Sequence, residues 1–67
     1  MKPVSGKHLR KVLEDRGWVL ARVRGAHHRF KKRGYPDITI PVHGNKTLKP
    51  RTQHSIMKAA GLTDDDL

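Results

Sequence analysis

Residues 18–32 read Trp-Val-Leu-Ala-Arg-Val-Arg-Gly-Ala-His-His-Arg-Phe-Lys-Lys. Residues 18–24 are rich in the aromatic, β-branched and aliphatic side chains that favour strands. Gly25-Ala26 fits a tight turn, and residues 27–32 continue as a second strand that Gly34 brings to an end. This segment therefore predicts a β-hairpin with two adjacent histidines at the start of its second strand.

A helix is expected on the amino-terminal side of the hairpin. Ser5 is a favourable N-cap, and Leu9, Val12 and Leu13 follow at the i, i+3, i+4 spacing of one buried stripe. Gly17 supplies the residue type that commonly ends a helix. The first helix is therefore predicted over residues 6–16.

A third strand and a second helix are expected after the hairpin. Residues 37–42 alternate apolar and polar side chains, and Pro41, which has no N–H to donate, ends this strand or places it at an edge. After a turn at residues 43–45, Pro50 suits the first position of a helix and Gly61 its end. The apolar stripe of this helix consists of Ile56, Met57 and Ala60.

The resulting element order is α-β-β-β-α, which defines an α+β fold. A three-stranded antiparallel sheet needs one covered face, and two helices on that face suffice to cover it. The other face of the sheet then stays open and polar. At 67 residues the chain has room for a single domain, residues 1–67.

Charge is the strongest compositional signal. Fifteen Lys and Arg oppose six Asp and Glu, which gives a formal net charge of +9. Between Gly17 and Arg51, nine basic residues accompany a single acid, Asp37. A positive density of this kind indicates a polyanionic partner such as a nucleic acid.

Other classes of partner are disfavoured. No apolar run approaches the roughly 20 residues of a membrane span, and no apolar stretch follows the basic amino terminus as it does in a secretory signal. The absence of cysteine suits a reducing compartment. We therefore expect a cytoplasmic protein with no membrane partner and no cofactor. No metal centre is expected either, because no Cys or nearby carboxylate completes a site around the His27-His28 pair.

Strand periodicity separates the two central histidines. Successive side chains point to opposite faces, so His27 and Arg29 share one face while His28 and Phe30 share the other. Phe30 is apolar and is expected to face the helices, which leaves His28 at the core or its rim. His27 then stands on the open face, where its imidazole can reach a bound phosphate or ribose hydroxyl.

An exposed imidazole among cations is suited to the cleavage of RNA. RNA carries its own nucleophile, the 2′-hydroxyl, so cleavage needs a base, an acid and stabilisation of a charged transition state. His27 is the candidate for proton transfer. Arg24 and Arg29 are the nearest candidates to stabilise charge, and Lys31 is a further one. The remaining candidates for RNA contacts are Lys32, Lys46 and Lys49.

The other histidines and the acidic end receive structural interpretations. His28 is interpreted as a satisfied, partly buried histidine and His43 as part of a turn. His8 and His54 lie on helix surfaces and are assigned no role. The Asp64–Asp66 segment is interpreted as a solvated end, with a regulatory or partner-contacting role as the alternative.

Several short motifs occur in a fixed order along the chain. They are Ser5-Gly6-Lys7, Leu13 with Gly17-Trp18, Gly25-Ala26-His27-His28 with Phe30, Ile40-Pro41-Val42-His43-Gly44, Leu48-Lys49-Pro50 with Thr52, Ser55-Ile56, and Ala60-Gly61-Leu62. No single motif is specific, but the ordered set is. In this set the chain resembles, over nearly its whole length, the HicA family of bacterial toxins, small mRNA interferases of type II toxin–antitoxin systems.

The resemblance implies a fold like a double-stranded-RNA-binding domain, endoribonuclease activity on mRNA, and a role in the stress response. It also implies a HicB-type antitoxin that masks the active site, with DNA contacted only through that antitoxin. The family's catalytic histidine is the first of the His-His pair, which is His27 here. Three departures stand out, because the family usually has Ser at the position of Ala26, often Gly at that of Arg51 and often an apolar residue at that of Gln53.

Two other functions remain open on the residues alone. The chain could be a non-catalytic binding module of the double-stranded-RNA type, in which His27 only hydrogen-bonds RNA or solvent. It could also be an interaction subunit whose main partner is an acidic antitoxin, the pair acting together on DNA. RNA cleavage that depends on His27 distinguishes the nuclease from the binding module, whereas an acidic antitoxin partner is compatible with nuclease activity.

Overall fold

The computed structural model describes all residues from 1 to 67. The elements are α1 (Gly6–Asp15), β1 (Val19–Arg24), β2 (His27–Lys31), β3 (Ile38–Pro41), α2 (Pro50–Ala60) and a short 3₁₀ turn (Asp64–Asp66). The predicted order α-β-β-β-α is confirmed, and the predicted ends of α1 and of the three strands each lie within one residue of the observed ends. Neither helix is long and apolar enough to cross a membrane.

The strands form one antiparallel sheet in the order β1-β2-β3, so that β1 and β3 are its edges. Both helices pack against β3, on the face to which Phe30 points. The spacing of Leu9 and Leu13 places them one above the other on α1, and both are fully buried with Phe30 and Ile40. Full burial of one such side chain contributes about 1.5–3 kcal/mol, so these four residues account for much of a small core.

The helix ends follow the predicted signals. The Ser5 hydroxyl caps α1 by accepting a 3.0 Å hydrogen bond from the His8 N–H. Pro50 is the first residue of α2, and Gly61 ends that helix with a left-handed φ of 70°. Leu62 then packs against the core, which fixes the direction in which the chain leaves the helix.

The first turn of α1 lies directly against the carboxyl end of β3. A Cβ atom on Gly6 would overlap the carbonyl oxygen of Pro41 and would also press on Val42. Gly6 is itself buried. A residue without a side chain is therefore needed at this crossing of helix and strand.

A buried glutamine ties the amino-terminal segment to α2, which the sequence did not predict. The side chain of Gln53 is fully buried. Its Oε1 accepts a 3.1 Å hydrogen bond from the Val4 N–H, and its Nε2 donates to the Lys2 carbonyl at 2.5 Å. Ser5 and Thr47 extend this contact as an isolated β-bridge. The polar residue is tolerated in the core because its amide is satisfied at both ends.

The interpretation of the Asp64–Asp66 segment as a solvated end is wrong for Asp66, and Leu67, which follows it, is also held against the fold. Asp66 forms an ion pair with Arg16, and its carboxylate also accepts a 2.7 Å hydrogen bond from the Thr63 N–H. The carbonyl of Leu67 accepts a 2.9 Å hydrogen bond from the His8 imidazole, and the Leu67 side chain packs against the core. The segment folds back because a capping box and an apolar terminal residue hold it.

Candidate functional site

The turn of the β1–β2 hairpin fixes the backbone next to His27. Arg24 and His27 are register partners, so Gly25 and Ala26 form a two-residue loop. Gly25 has a φ of 57°, whereas the φ of Ala26 is not positive. A positive φ at the first loop residue alone is the pattern of a type II′ turn, whose twist matches that of paired strands. The hairpin therefore holds His27, the first residue of β2, at a defined position.

The predicted separation of the two central histidines is confirmed. His27 and Arg29 are exposed, while Phe30 is fully buried and His28 is half-buried. The exposed side of the sheet, called the open face below, also carries Thr39, the register partner of Arg29. His28 Nδ1 lies 3.2 Å from the Ala26 carbonyl, which agrees with its interpretation as a satisfied rim residue.

A bulge in β1 adds a second arginine to the open face. The register of β1 against β2 shifts between Leu20 and Arg22, which leaves Ala21 as the extra residue. Leu20 consequently pairs with Phe30 on the covered face, while Arg22 pairs with Arg29 on the open face. Arg22 was not among the predicted site residues, although its spacing of two from Arg24 was a signal for it.

These residues surround a shallow depression of about 180 Å³ on the open face, called the His27 depression. Its lining consists of Arg22, Arg24, His27, Arg29 and Thr39. The imidazole of His27 makes no hydrogen bond to another residue, and neither do the guanidinium groups of Arg22 and Arg24. Three guanidinium groups can bind a phosphodiester, and the free imidazole can exchange a proton with a hydroxyl group next to it.

Asp37 is the single acid at this face, and it binds two of the predicted cations. Its Oδ2 accepts hydrogen bonds from Lys31 Nζ at 2.7 Å and from Arg29 Nε at 3.0 Å. The hydrogen bond from Lys31, and then the positive charges of Lys31 and Arg29, hold the pKa of Asp37 below its usual 3.8, against a smaller opposing effect of desolvation. Because Arg29 bonds through Nε, its two terminal nitrogens stay free for an anion.

Lys32 does not belong to the open face. It follows β2 on the side of Phe30, and its Nζ lies 5.1 Å from the centre of the Tyr35 ring. Tyr35 in turn contacts Trp18, with ring centroids 5.4 Å apart. The alternation that placed His27 outward also directs residue 32 to the covered side, so the structure separates Lys32 from the other predicted RNA-binding residues.

Lys46 and Lys49 lie in a second depression, beyond the end of β3. This lysine depression has a volume of about 310 Å³ and is lined by Pro41, His43, Lys46, Thr47, Leu48, Lys49 and Thr52. The His43 carbonyl accepts a 3.0 Å hydrogen bond from the Lys46 N–H, which confirms the predicted turn at this point. Both lysines were predicted from the sequence as candidates for RNA contacts, but the concave surface that they share was not.

The remaining histidines are dispersed. His8 contacts the carbonyl of Leu67, and His54 is exposed on α2. No three His, Asp or Glu side chains lie close enough together to hold a metal ion. His27 is the histidine that lies on the open face among arginines, whereas His43 lines the lysine depression.

Comparison with known proteins agrees with this arrangement. A family model for the HicA toxins of bacterial toxin–antitoxin systems matches residues 6–62, from the first residue of α1 to the residue after Gly61. A search of curated proteins finds no match. The matched span contains the whole sheet and both depressions. The chain therefore belongs to the HicA toxin family of bacterial toxin–antitoxin systems.

Proposed function

We propose that this protein is a metal-independent endoribonuclease that cleaves mRNA, with His27 as its catalytic residue. The observation that carries the proposal is the His27 depression, where an unpaired imidazole lies among three arginines on the open face. Family membership supports it, because it makes the chain the toxin of a toxin–antitoxin pair. Residues 1–67 then constitute one toxin domain acting in the cytoplasm.

The reaction uses the nucleophile that RNA already contains. His27 accepts the proton of the ribose 2′-hydroxyl, and the 2′-oxygen attacks the neighbouring phosphorus. The bond from phosphorus to the 5′-oxygen breaks, and that oxygen takes up the proton that His27 accepted, which returns the imidazole to its neutral form. The products are a 2′,3′-cyclic phosphate and a 5′-hydroxyl. Positioned proton transfer of this kind contributes roughly 10²–10⁴ in rate.

The arginines stabilise the charge that develops on the phosphate oxygens. Arg22 and Arg24 have no carboxylate partner, so their full charge is available to the substrate. Arg29 is bound to Asp37 through Nε and presents its terminal nitrogens, which suit bidentate contact with phosphate. Lys31 adds a further cation beside Asp37. The Thr39 hydroxyl completes the lining as a neutral hydrogen-bonding group.

The test is cleavage of purified single-stranded RNA in the presence of EDTA. His27→Ala is expected to reduce the rate by roughly 10²–10⁴, and expression of this variant is expected not to arrest growth. His54→Ala is the matched control, because His54 is an exposed histidine outside the sheet. A substrate with 2′-deoxyribose at the cleaved position is expected to bind but to remain intact.

Several results contradict the proposal. Equal cleavage by His27→Ala and wild type removes His27 from the mechanism, and a 3′-hydroxyl product indicates a different nucleophile. RNA that binds with a steep dependence on salt but stays intact on long incubation favours the non-catalytic binding module instead.

We further propose that a HicB-type antitoxin covers the open face, and that DNA is contacted only through it. Membership of a toxin–antitoxin family implies an antitoxin partner. The excess of positive charge on the open face suits an acidic partner and speeds its association. Co-expression with an acidic protein encoded next to the toxin gene is expected to give a stable complex without nuclease activity. The double substitution Arg22→Glu with Arg24→Glu is expected to weaken that complex. A complex that leaves RNA cleavage intact contradicts this arrangement.

A further inference from the structure

The lysine depression is a polar concavity separate from the His27 depression, and the proposed chemistry does not use it. Lys46 and Lys49 form no ion pair with any acid of the chain. His43 and Thr52 add an imidazole and a hydroxyl to the same lining, in which Leu48 is the one strongly apolar side chain. Two unpaired cations and neutral hydrogen-bonding groups in a concave surface suit an anionic ligand.

The two depressions are neighbours in the fold. Pro41 lines the lysine depression and is the register partner of His27 across β2 and β3. Directly opposed residues in antiparallel strands have Cα atoms roughly 4.5–5.5 Å apart. The Val42 N–H donates a 2.7 Å hydrogen bond to the Ala26 carbonyl, so the hairpin turn and the end of β3 are held together. A chain of phosphates that occupies the His27 depression can therefore continue over Pro41.

The size and lining of the lysine depression restrict what it holds. Its volume of about 310 Å³ lies at the lower end of the range for small-ligand sites, roughly 300–1,000 Å³. Its lining contains no Phe, Tyr or Trp, the large rings on which bases commonly stack, and His43 supplies its one aromatic ring. Contacts from lysine, histidine and threonine to phosphate and sugar position a nucleic acid without reading its sequence.

From this arrangement we infer that the lysine depression is a phosphate subsite, which binds the phosphate one nucleotide away from the bond cleaved at His27. The inference rests on the proposed function, because that function supplies the RNA and the position of the cleaved bond. The subsite fixes the register of the RNA strand over His27 and contributes affinity without sequence preference.

The experiment measures the effect of one added phosphate on binding. Isotope-labelled His27→Ala protein, which does not cleave the probe, is titrated by NMR with dinucleotide pools of mixed sequence. The three pools carry no terminal phosphate, a 5′-phosphate or a 3′-phosphate. One of the two terminal phosphates is expected to tighten binding by roughly three- to tenfold and to shift the amide signals of residues 43–52.

The gain in affinity from the terminal phosphate is then tested by replacing Lys46 and Lys49. Lys46→Ala with Lys49→Ala is expected to abolish the gain from the terminal phosphate and to retain the affinity for the unphosphorylated pool. Lys49 makes no side-chain capping hydrogen bond to α2, so its truncation removes no helix cap. The matched control is Lys11→Ala with Lys58→Ala, which removes the same charge from the exposed surfaces of the two helices and is expected to preserve the gain.

The outcomes separate this inference from the proposed function. The subsite is overturned if a terminal phosphate still tightens binding to the Lys46→Ala, Lys49→Ala protein. It is also overturned if the terminal phosphate shifts no amide signal in residues 43–52. Shifts at residues 43–52 without shifts around the β1–β2 hairpin would show that phosphate binds there independently of the His27 depression, and would overturn its role as a neighbouring subsite. Shifts at both places with intact RNA in the wild-type protein would overturn the nuclease while supporting a continuous RNA-binding surface.

Discussion

The carboxylate of Asp37 accepts a 2.7 Å hydrogen bond from the ammonium group of Lys31, on the face of the sheet that we assign to RNA. The same oxygen is bound by Arg29. The only acid among the nine basic residues of the central segment therefore lies where an incoming phosphate has to compete with it. Asp37 reduces the charge available to RNA and holds two long side chains in place.

Replacing Asp37 by Asn is expected to tighten binding of single-stranded RNA. The change releases Lys31 from its partner, and one additional freed cation steepens the dependence of log K on log salt by about 0.7 for single strands. The measurement is a salt series on the His27→Ala background, so that the RNA stays intact. Asp65→Asn changes the net charge equally at an exposed position without an ion pair. Equal effects of the two substitutions would show that only net charge matters.

The acidic end is expected to make stability depend on pH. The Thr63 N–H, which donates to Asp66, and the charge of Arg16 hold the pKa of Asp66 below its usual 3.8. A carboxyl group with a lowered folded-state pKa stabilises the fold above its unfolded pKa and loses that contribution as the pH falls through the folded value. The melting temperature of Asp66→Ala is therefore expected to lie below that of wild type at neutral pH. The difference is expected to shrink below pH 3.8. A difference that is constant down to strongly acidic pH contradicts the role of the charge.

Replacement of Gln53 by Leu is expected to destabilise the protein, although Leu is apolar and similar in volume. The Val4 N–H and the Lys2 carbonyl both lose their partner, and an unsatisfied buried polar group costs about 1–3 kcal/mol. Urea denaturation measures the loss. His54→Ala, at the next and exposed position of the same helix, is expected to change stability by less than about 0.5 kcal/mol. A Leu variant as stable as wild type would show that the amino-terminal segment adds little.

Gly6→Ala is expected to destabilise the protein even though Ala is the better helix former. The new Cβ overlaps the Pro41 carbonyl, so α1 or the end of β3 has to move, at a cost of about 1–3 kcal/mol for a well-packed contact. Because Pro41 lies opposite His27, RNA cleavage is expected to fall as well. Lys7→Ala, one residue further along α1 and exposed, is the control for both measurements. If Gly6→Ala is as stable as wild type, α1 and the end of β3 can move apart at no measurable cost.

The elements of this fold were predictable because their signals are local. Ser5, Gly17, Pro50 and Gly61 mark helix ends through their own backbone preferences, and the alternation of His27 to Phe30 assigns the faces of β2. Those signals sufficed for the order of elements and for the exposure of His27.

The parts that escaped prediction depend on residues distant in sequence. Arg22 reaches the open face because of a bulge, which simple alternation from Leu20 does not show. Gln53 is buried because its amide meets Val4 and Lys2, about 50 positions earlier. The folding back of Asp66 likewise needs Arg16. The pairings of Gln53 and Asp66 are set by tertiary structure and no local pattern predicts them, whereas the spacing of Arg22 from Arg24 was a local signal for the open face.

The bulge at Ala21 affects the shape of the open face without deciding which side chains that face carries. A chain without residue 21 would alternate regularly, with Leu20 still inward and Arg22 and Arg24 still outward, so every neighbouring side chain would keep its present side. What such a chain would lose is the added local twist that a bulge gives to a strand. Deletion of residue 21 therefore offers a way to alter the curvature of the open face while leaving its charges and the packed interior unchanged.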